Sequence, residues 1–195
     1  MKGHLMRHEA QRMPTDNLLM LQVRDGDLDK LGILFERYKK KLLNYFIRLM
    51  GNRSISEDLV QEVFFRIMKY RDTYKGKAKF AFWIYRIAHN VHIDHYRKQG
   101  REEQLVEDIH EPSSKDPLPE EKLGQLQDID LMRAALARLS EKKREILILS
   151  RYHDLKYDEI AQLFGCRTGT IKVHVHRAIK DLGKIYSELS GGKTP

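Results

Sequence analysis

The segment Leu155–Leu182, LKYDEIAQLFGCRTGTIKVHVHRAIKDL, constrains this chain most. Ala161, Gly165 and Ile171 stand at the spacing of a helix-turn-helix. A small residue there lets two helices approach, a glycine takes the left-handed turn, and a buried aliphatic locks the second helix onto the first. The second helix is predicted over about Thr170–Leu182 and carries Lys172, His174, His176, Arg177 and Lys180. A basic helix presented by a tight turn suits the DNA major groove. The same spacing also fits a plain helical hairpin with a solvated basic face.

Charge sharpens the choice. The net charge of +8 is unevenly spread: residues 1–101 hold 21 Lys/Arg against 11 Asp/Glu, residues 102–130 hold 2 against 10, and residues 131–195 hold 13 against 7. Two basic blocks therefore flank an acidic middle, and basic surfaces attract polyphosphate by releasing its counterions. No apolar run reaches the roughly 20 residues needed to span a bilayer. The basic N-terminus lacks the apolar centre of a signal peptide, so no membrane insertion is expected. The single cysteine, Cys166, excludes an intrachain disulfide framework and fits a reducing cytoplasm.

Helical periodicity dominates and strand alternation is rare, so the expected class is all-α: an N-terminal helical bundle and a C-terminal helix-turn-helix unit joined by an acidic flexible linker. The boundaries are a tail over 1–15, a first domain over 16–100, a linker over 101–127, a second domain over 128–189 and a tail over 190–195. The linker contains EPSSKDPLPEE, residues 111–121, where prolines block helix continuation and nothing apolar asks for burial. Thr15 or Asp16 is expected to cap a first helix through Val23. A second helix runs from about Asp29 to Met50, Ser54 or Ser56 caps a third, and a fourth runs from near Phe80 to about Gln99. Further helices are predicted over 128–138 and 140–150.

The third helix exposes Asp58, Gln61 and Glu62, with Phe65 or Arg66, opposite Leu59, Val63, Phe64 and Ile67. An acidic patch on a basic domain would repel phosphates, so it reads either as a protein-docking face or as ordinary capping and solvation. Between Tyr70 and Arg101 the aromatics Tyr70, Tyr74, Phe80, Phe82, Trp83, Tyr85 and Tyr96 are interleaved with cations. That mixture suits stacking on unpaired bases. Phe80, Trp83, Ile84, Ile87 and Val91 form a core stripe, while Phe82, Arg86, His89 or Asn90, Ile93 and Arg97 mark the other face. His89, His92 and His95 recur every three residues, which spreads them around about 120° of a helix and disfavours one shared metal ion. No nucleophile elbow, P-loop or dinucleotide fingerprint is present, so neither catalysis nor a cofactor is expected. Glu159 is expected to orient a neighbouring cation or face solvent.

Taken together, DGDLDKLGILFERY, EDLVQEVFFRIMK and FAFWIYRIAHNVHIDHYRK, followed by LARLSEKKREILILSRYHDLKYDEIAQLFGCRTGTIKVHVHRA, resemble an extracytoplasmic-function (ECF) sigma factor. The resemblance implies a promoter-recognition subunit of bacterial RNA polymerase, not an enzyme. It implies that Asp58, Gln61 and Glu62 dock on the clamp helices of the polymerase core. The loop and helix from Tyr70 to Arg97 would open the minus-ten element and capture a flipped base, with Lys77, Lys79, Arg86, Asn90 and Arg97 on duplex and melted single strand. In the last helix Lys172, Val173, His176 and Arg177 would reach minus-thirty-five bases, while Arg167, Thr170 and His174 would serve phosphates. An anti-sigma factor is a further implied partner. Arg167 stands where the family often has a small capping residue, so the cap is expected to pass to Thr168. His174 and His176 stand where arginine, serine or aromatic residues are common, which leaves base preference open. The rival reading is a free-standing helix-turn-helix regulator that binds palindromic duplex without polymerase.

Overall fold

The structure, a computed structural model, describes residues 14–102, 120–153 and 155–191. Among the described residues there are eight α-helices, a 3₁₀ turn and no strand: α1 Asp16–Arg24, α2 Asp29–Met50, α3 Arg53–Tyr70, the turn Arg71–Thr73, α4 Phe80–Glu102, α5 Glu120–Arg138, α6 Glu141–Tyr152, α7 Tyr157–Leu163 and α8 Thr168–Leu189. The all-α class expected from periodicity is the class observed. Most of the predicted tail 1–15, the greater part of 111–121, and the last residues from 192 lie outside the described residues.

The N-terminal unit is built on α2. Its buried residues Leu34, Tyr38, Leu42, Tyr45, Phe46 and Leu49 recur at helical spacing, giving one apolar side that packs on α1 and α3. Gly51 takes the left-handed conformation (φ 69°), closes α2, and lets the chain reverse into α3. The α3 cap departs from expectation. Asn52, not Ser54 or Ser56, accepts from the Ile55 N–H at 3.1 Å, and Ser56 is buried inside the helix with its hydroxyl donating to the Asn52 carbonyl. Asn52 is the first capping-type residue after the glycine turn, so the helix starts there. Thr15 caps α1 as one of the two predicted options, accepting from Leu18 N–H at 3.3 Å.

In the C-terminal unit α8 packs on α5, α6 and α7. Both ends of this unit's helices differ from the sequence expectation. The α5 helix starts at Glu120, inside the span assigned to the linker, and α8 continues to Leu189. Leu182 and Ile185 explain the extension of α8, because they prolong the Ala178 stripe onto Leu136, Leu139 and Leu147. A Lys143–Asp181 ion pair at 2.7 Å joins α6 to α8.

The two units also touch. α2 packs on α5 and α6, and α4 packs on α7. One apolar cluster runs without a break from Leu19 through Phe46 and Val91 to Ile146, Leu149, Ile160 and Ile171.

Candidate nucleic-acid interface

The helix-turn-helix forms as its residues require. Ala161 and Ile171 are buried between α7 and α8, and Gly165 turns the chain at φ 59°. The turn is tied by Cys166 N–H donating to the Ala161 carbonyl at 3.0 Å. Arg167, extended and without a side-chain cap bond, is the residue before α8. The predicted transfer of the cap to Thr168 does not occur, since Thr168 already lies inside the helix. Glu159 has a local task that the sequence reading missed: its carboxylate accepts the Lys156 N–H at 2.8 Å and so closes the start of α7.

With Ile171, Val175 and Ala178 buried, α8 presents Lys172, Val173, His176 and Arg177 outward, and Arg167 and Thr170 are exposed at its start. Val173 is 48% exposed, an apolar contact at the centre of a cationic face. His174 is set apart from them. It is half-buried, and burial, with Lys142, Arg177 and Lys143 nearby, lowers its pKa and keeps it neutral.

The α4 helix is covered on nearly every side. From Phe80 to His92 the exposed residues are Arg86 and Asn90, one turn apart, and Arg97 continues their line. Tyr70 and Tyr96 are exposed, but Tyr74, Phe80, Phe82, Trp83 and Tyr85 are all core. Phe82, predicted for the open face, is therefore corrected to a buried position, and of the alternatives His89 or Asn90 it is Asn90 that is exposed. Helix α4 is sandwiched by α3, α1 and α7, so one stripe does not exhaust its buried surface.

The loop before α4 is held rather than loose. Asn17 of α1 accepts the Phe80 N–H at 2.8 Å and donates to the Ala78 carbonyl at 3.4 Å, and Tyr74 donates to the same carbonyl at 3.2 Å. Gly76 (φ 69°) passes so close to Leu21 that a Cβ would sit 3.3 Å from it. This anchoring leaves Lys77 and Lys79 exposed, together with Lys75, which the sequence reading had not singled out. Its signal was there in the run of alternating lysines.

On α3, Asp58 and Gln61 are exposed, and Glu62 is half-exposed with its carboxylate on Arg66 at 2.6 Å. Arg66 also pairs with Asp94 of α4 at 2.7 Å, so Glu62 takes part in joining the two helices. Phe65, 55% exposed, and Met68, 39% exposed, continue the same side of α3. Acidic groups beside open apolar surface suit a protein partner better than phosphate.

Residues 34–102 match the family Sigma-70 region 2, and residues 129–182 match Sigma-70, region 4. The chain is 30% identical to the ECF RNA polymerase sigma factor SigE of Mycolicibacterium smegmatis, over 87% of this chain and 68% of that protein. It is 28% identical to ECF sigma factor SigW of Bacillus subtilis, over 86% of this chain and 95% of that protein. This chain belongs to the ECF sigma factors. Among solved structures, the sigma factor RpoE of Bartonella quintana in complex with the anti-sigma factor NepR is similar at a TM-score of 0.67 and 27% identity, covering 84% of this chain and 98% of that one. CnrH in complex with the cytosolic domain of CnrY shares the fold, with a TM-score of 0.66 at 20% identity over 92% of this chain and 99% of that one.

As a member of this family the sigma factor directs RNA polymerase to promoters for transcription initiation. Region 2 covers most of α2 with α3 and α4, and region 4 runs from the middle of α5 to Leu182 of α8. Among the described residues, no helix is long and apolar enough to cross a membrane.

Proposed function

We propose that this sigma factor divides its work among three surfaces. The α3 face of Asp58, Gln61 and Glu62, extended by Phe65 and Met68, docks on the polymerase core. The lysine loop with Arg86, Asn90 and Arg97 holds the minus-ten element and promotes its opening. The outer face of α8 reads the minus-thirty-five element through Lys172, Val173, His176 and Arg177, while Arg167, Thr170 and His174 serve phosphates. His174 does so as a neutral hydrogen-bonding group. No step in this work makes or breaks a covalent bond, so the protein acts as a binding subunit and not as an enzyme. The cytoplasm, where the polymerase and the chromosome meet, is its place of action.

The observation that carries the reading is the exposure pattern of α4. Covered elsewhere from Phe80 to His92, the helix opens to solvent there at a guanidinium and an amide one turn apart, and the row continues through Asp94, paired with Arg66, toward Arg97. Such a row suits a nucleic-acid strand better than it suits a fold. An anti-sigma factor is proposed as a further partner, by analogy with the RpoE–NepR complex.

The test is association with core polymerase and initiation from a promoter that core alone ignores. Asp58→Arg, combined with Gln61→Arg, is expected to abolish co-elution with core while leaving the helix content unchanged. These two positions are preferable to Glu62, whose loss would also disturb Arg66. Tight binding of a palindromic duplex with no affinity for core would instead favour the free-standing regulator.

A further inference from the structure

Arg86, Asn90, Asp94 and Lys98 follow one another at helical spacing along the open side of α4, with Arg97 beside them. Asp94 is the only anion among these five, and its side chain is 51% exposed. Arg66 of α3 donates from Nη1 to its Oδ2 at 2.7 Å, while Arg66 Nε donates to Glu62 Oε1 at 2.6 Å. The other carboxylate oxygen of Asp94, Oδ1, has no hydrogen-bond partner among the described residues.

A carboxylate on a face that meets phosphates repels them, and the packing of α3 on α4 does not need it. Val63 and Ile67 of α3 already share an apolar cluster with Ala88 and Val91 of α4. An ion pair as open as Arg66–Asp94 changes a folding equilibrium by about fivefold or less. As a fastener it is weak. What the pair does supply is orientation. A guanidinium is planar and holds a carboxylate in one pose, and Arg66 is itself three-quarters buried, so it cannot wander. Asp94 therefore has one oxygen covered and the other presented, fixed, within a row of cations and an amide. A group of that kind turns phosphate away and accepts from an N–H.

Position along the helix says which N–H it meets. Asp94 stands 14 residues beyond Phe80, the first residue of α4. At 1.5 Å per residue that is about 21 Å along the axis. The lysine loop lies at the Phe80 end, with Tyr70 exposed before it, and cations with an open aromatic suit unpaired bases. At 3.4 Å per nucleotide, 21 Å is about six steps of DNA, which puts Asp94 over bases that are still paired. In the major groove of paired DNA the amino donors are cytosine N4 and adenine N6, whereas guanine shows N7 and O6 and thymine shows O4, all acceptors. A carboxylate accepts from the first two bases and is repelled by the others. We infer that Asp94 is a base-selecting residue of the minus-ten face, accepting from the amino group of a paired cytosine or adenine, and that Arg66 is the residue that positions it. The inference deepens the reading of the α4 row given above and rests on it.

The test is promoter selection by core polymerase carrying the full chain, from a DNA library randomised through the minus-ten region and sequenced after initiation. Wild type is expected to favour cytosine or adenine over guanine and thymine by about tenfold at one position. Asp94→Ala should erase that preference and leave the other positions as they were. Arg66→Gln should weaken it at the same position alone, and a pattern equal to wild type overturns the positioning role. Enrichment is a ratio between sequences, so a variant that merely folds or binds core less well lowers all of them alike. On the selected promoter, a base analogue lacking that amino group should cost wild type about tenfold and Asp94→Ala nothing. Asp94→Ala that leaves every preference unmoved, or weakens all positions together, overturns the inference, as does an affected position that favours guanine or thymine. If Asp94→Ala loses helix content by circular dichroism, Asp94→Asn takes its place. Its amide also donates, so guanine and thymine should gain at that one position, and an unchanged pattern overturns the inference. Arg86→Ala and Asn90→Ala separate the two levels of the argument. If they move minus-ten preferences and Asp94→Ala does not, this inference alone falls; if none of the three moves any, the assignment of α4 to the minus-ten element falls with it.

Discussion

His153, where the end of α6 meets α4, makes the packing of the two units answerable to acidity. In the seam between them its ring lies 4.7 Å from the Tyr85 ring and 5.6 Å from the Tyr45 ring, with Nδ1 on the Tyr85 hydroxyl. Burial, followed by the cations Arg48 and Lys41, holds its pKa down at about 4. Exposed to water, by parting of the units or by unfolding, the same ring returns to about 6.5. The buried state thus binds fewer protons than the open one, so the contribution of His153 is complete above about pH 6.5 and is lost as the pH falls toward 4. Lowering the pH from 8 to 5.5 should cost the buried state about 1.4 kcal/mol at this residue, close to a tenfold change in the equilibrium. Glu145 does not confuse this window, because its low pKa keeps its contribution until the pH drops below about 4.5. The assay is a histidine-resolved NMR titration, paired with thermal melts of wild type and His153→Asn across the same range. The His153 resonance should remain that of a neutral ring down to pH 5, and the substitution should flatten the pH dependence of the melt. A His153 midpoint near 6.5 would refute the burial argument.

Gly165→Ala adds a Cβ that meets nothing within 4 Å, so its whole effect is the left-handed backbone at φ 59°; a loss of about 1 kcal/mol in thermal stability is expected, and no loss would show that the turn relaxes freely. Asn52→Ala removes the α3 cap and should cost about 0.5–2 kcal/mol by denaturant titration, whereas Ser54→Ala should cost little. Arg177→Ala should weaken promoter binding by about 1–3 kcal/mol at one base position if it reads a base edge; uniform weakening across sequences would reassign it to phosphate. Thr170→Ala should weaken binding to all promoter sequences alike, and a base-selective loss would move it into the reading group.

Much of the fold was legible because each helix announces one face. The α2 stripe from Leu34 to Leu49 and the Ala161–Gly165–Ile171 spacing both formed as their periods require. Local boundaries were harder, since several capping residues crowd the same turn: Asn52 preceded the serines, and the apolar positions beyond Gly183 carried α8 to Leu189. Phe82 misled for a different reason. A single helical period separates a buried face from an open one, and it fails on a helix walled in from three directions, as α4 is.

The seam lay further out of reach, and the reason is physical. His89 and His92 share a phase with Tyr85 and Ala88, and Glu145 shares one with Ile148 and Leu149, so each polar residue sits on an apolar side of its own helix. Those phases are compatible with burial but name no partner, and His89 was one of the two alternatives expected on the open face. The partner stands 56 residues away in the chain, and no local rule links the two. What the pattern did contain was an inconsistency, a charge and two imidazoles on faces that ought to be apolar. Such violations concentrate where a molecule does something other than fold. Here they mark the place where the two units meet, Glu145 of α6 on Tyr45 of α2 and His89 of α4.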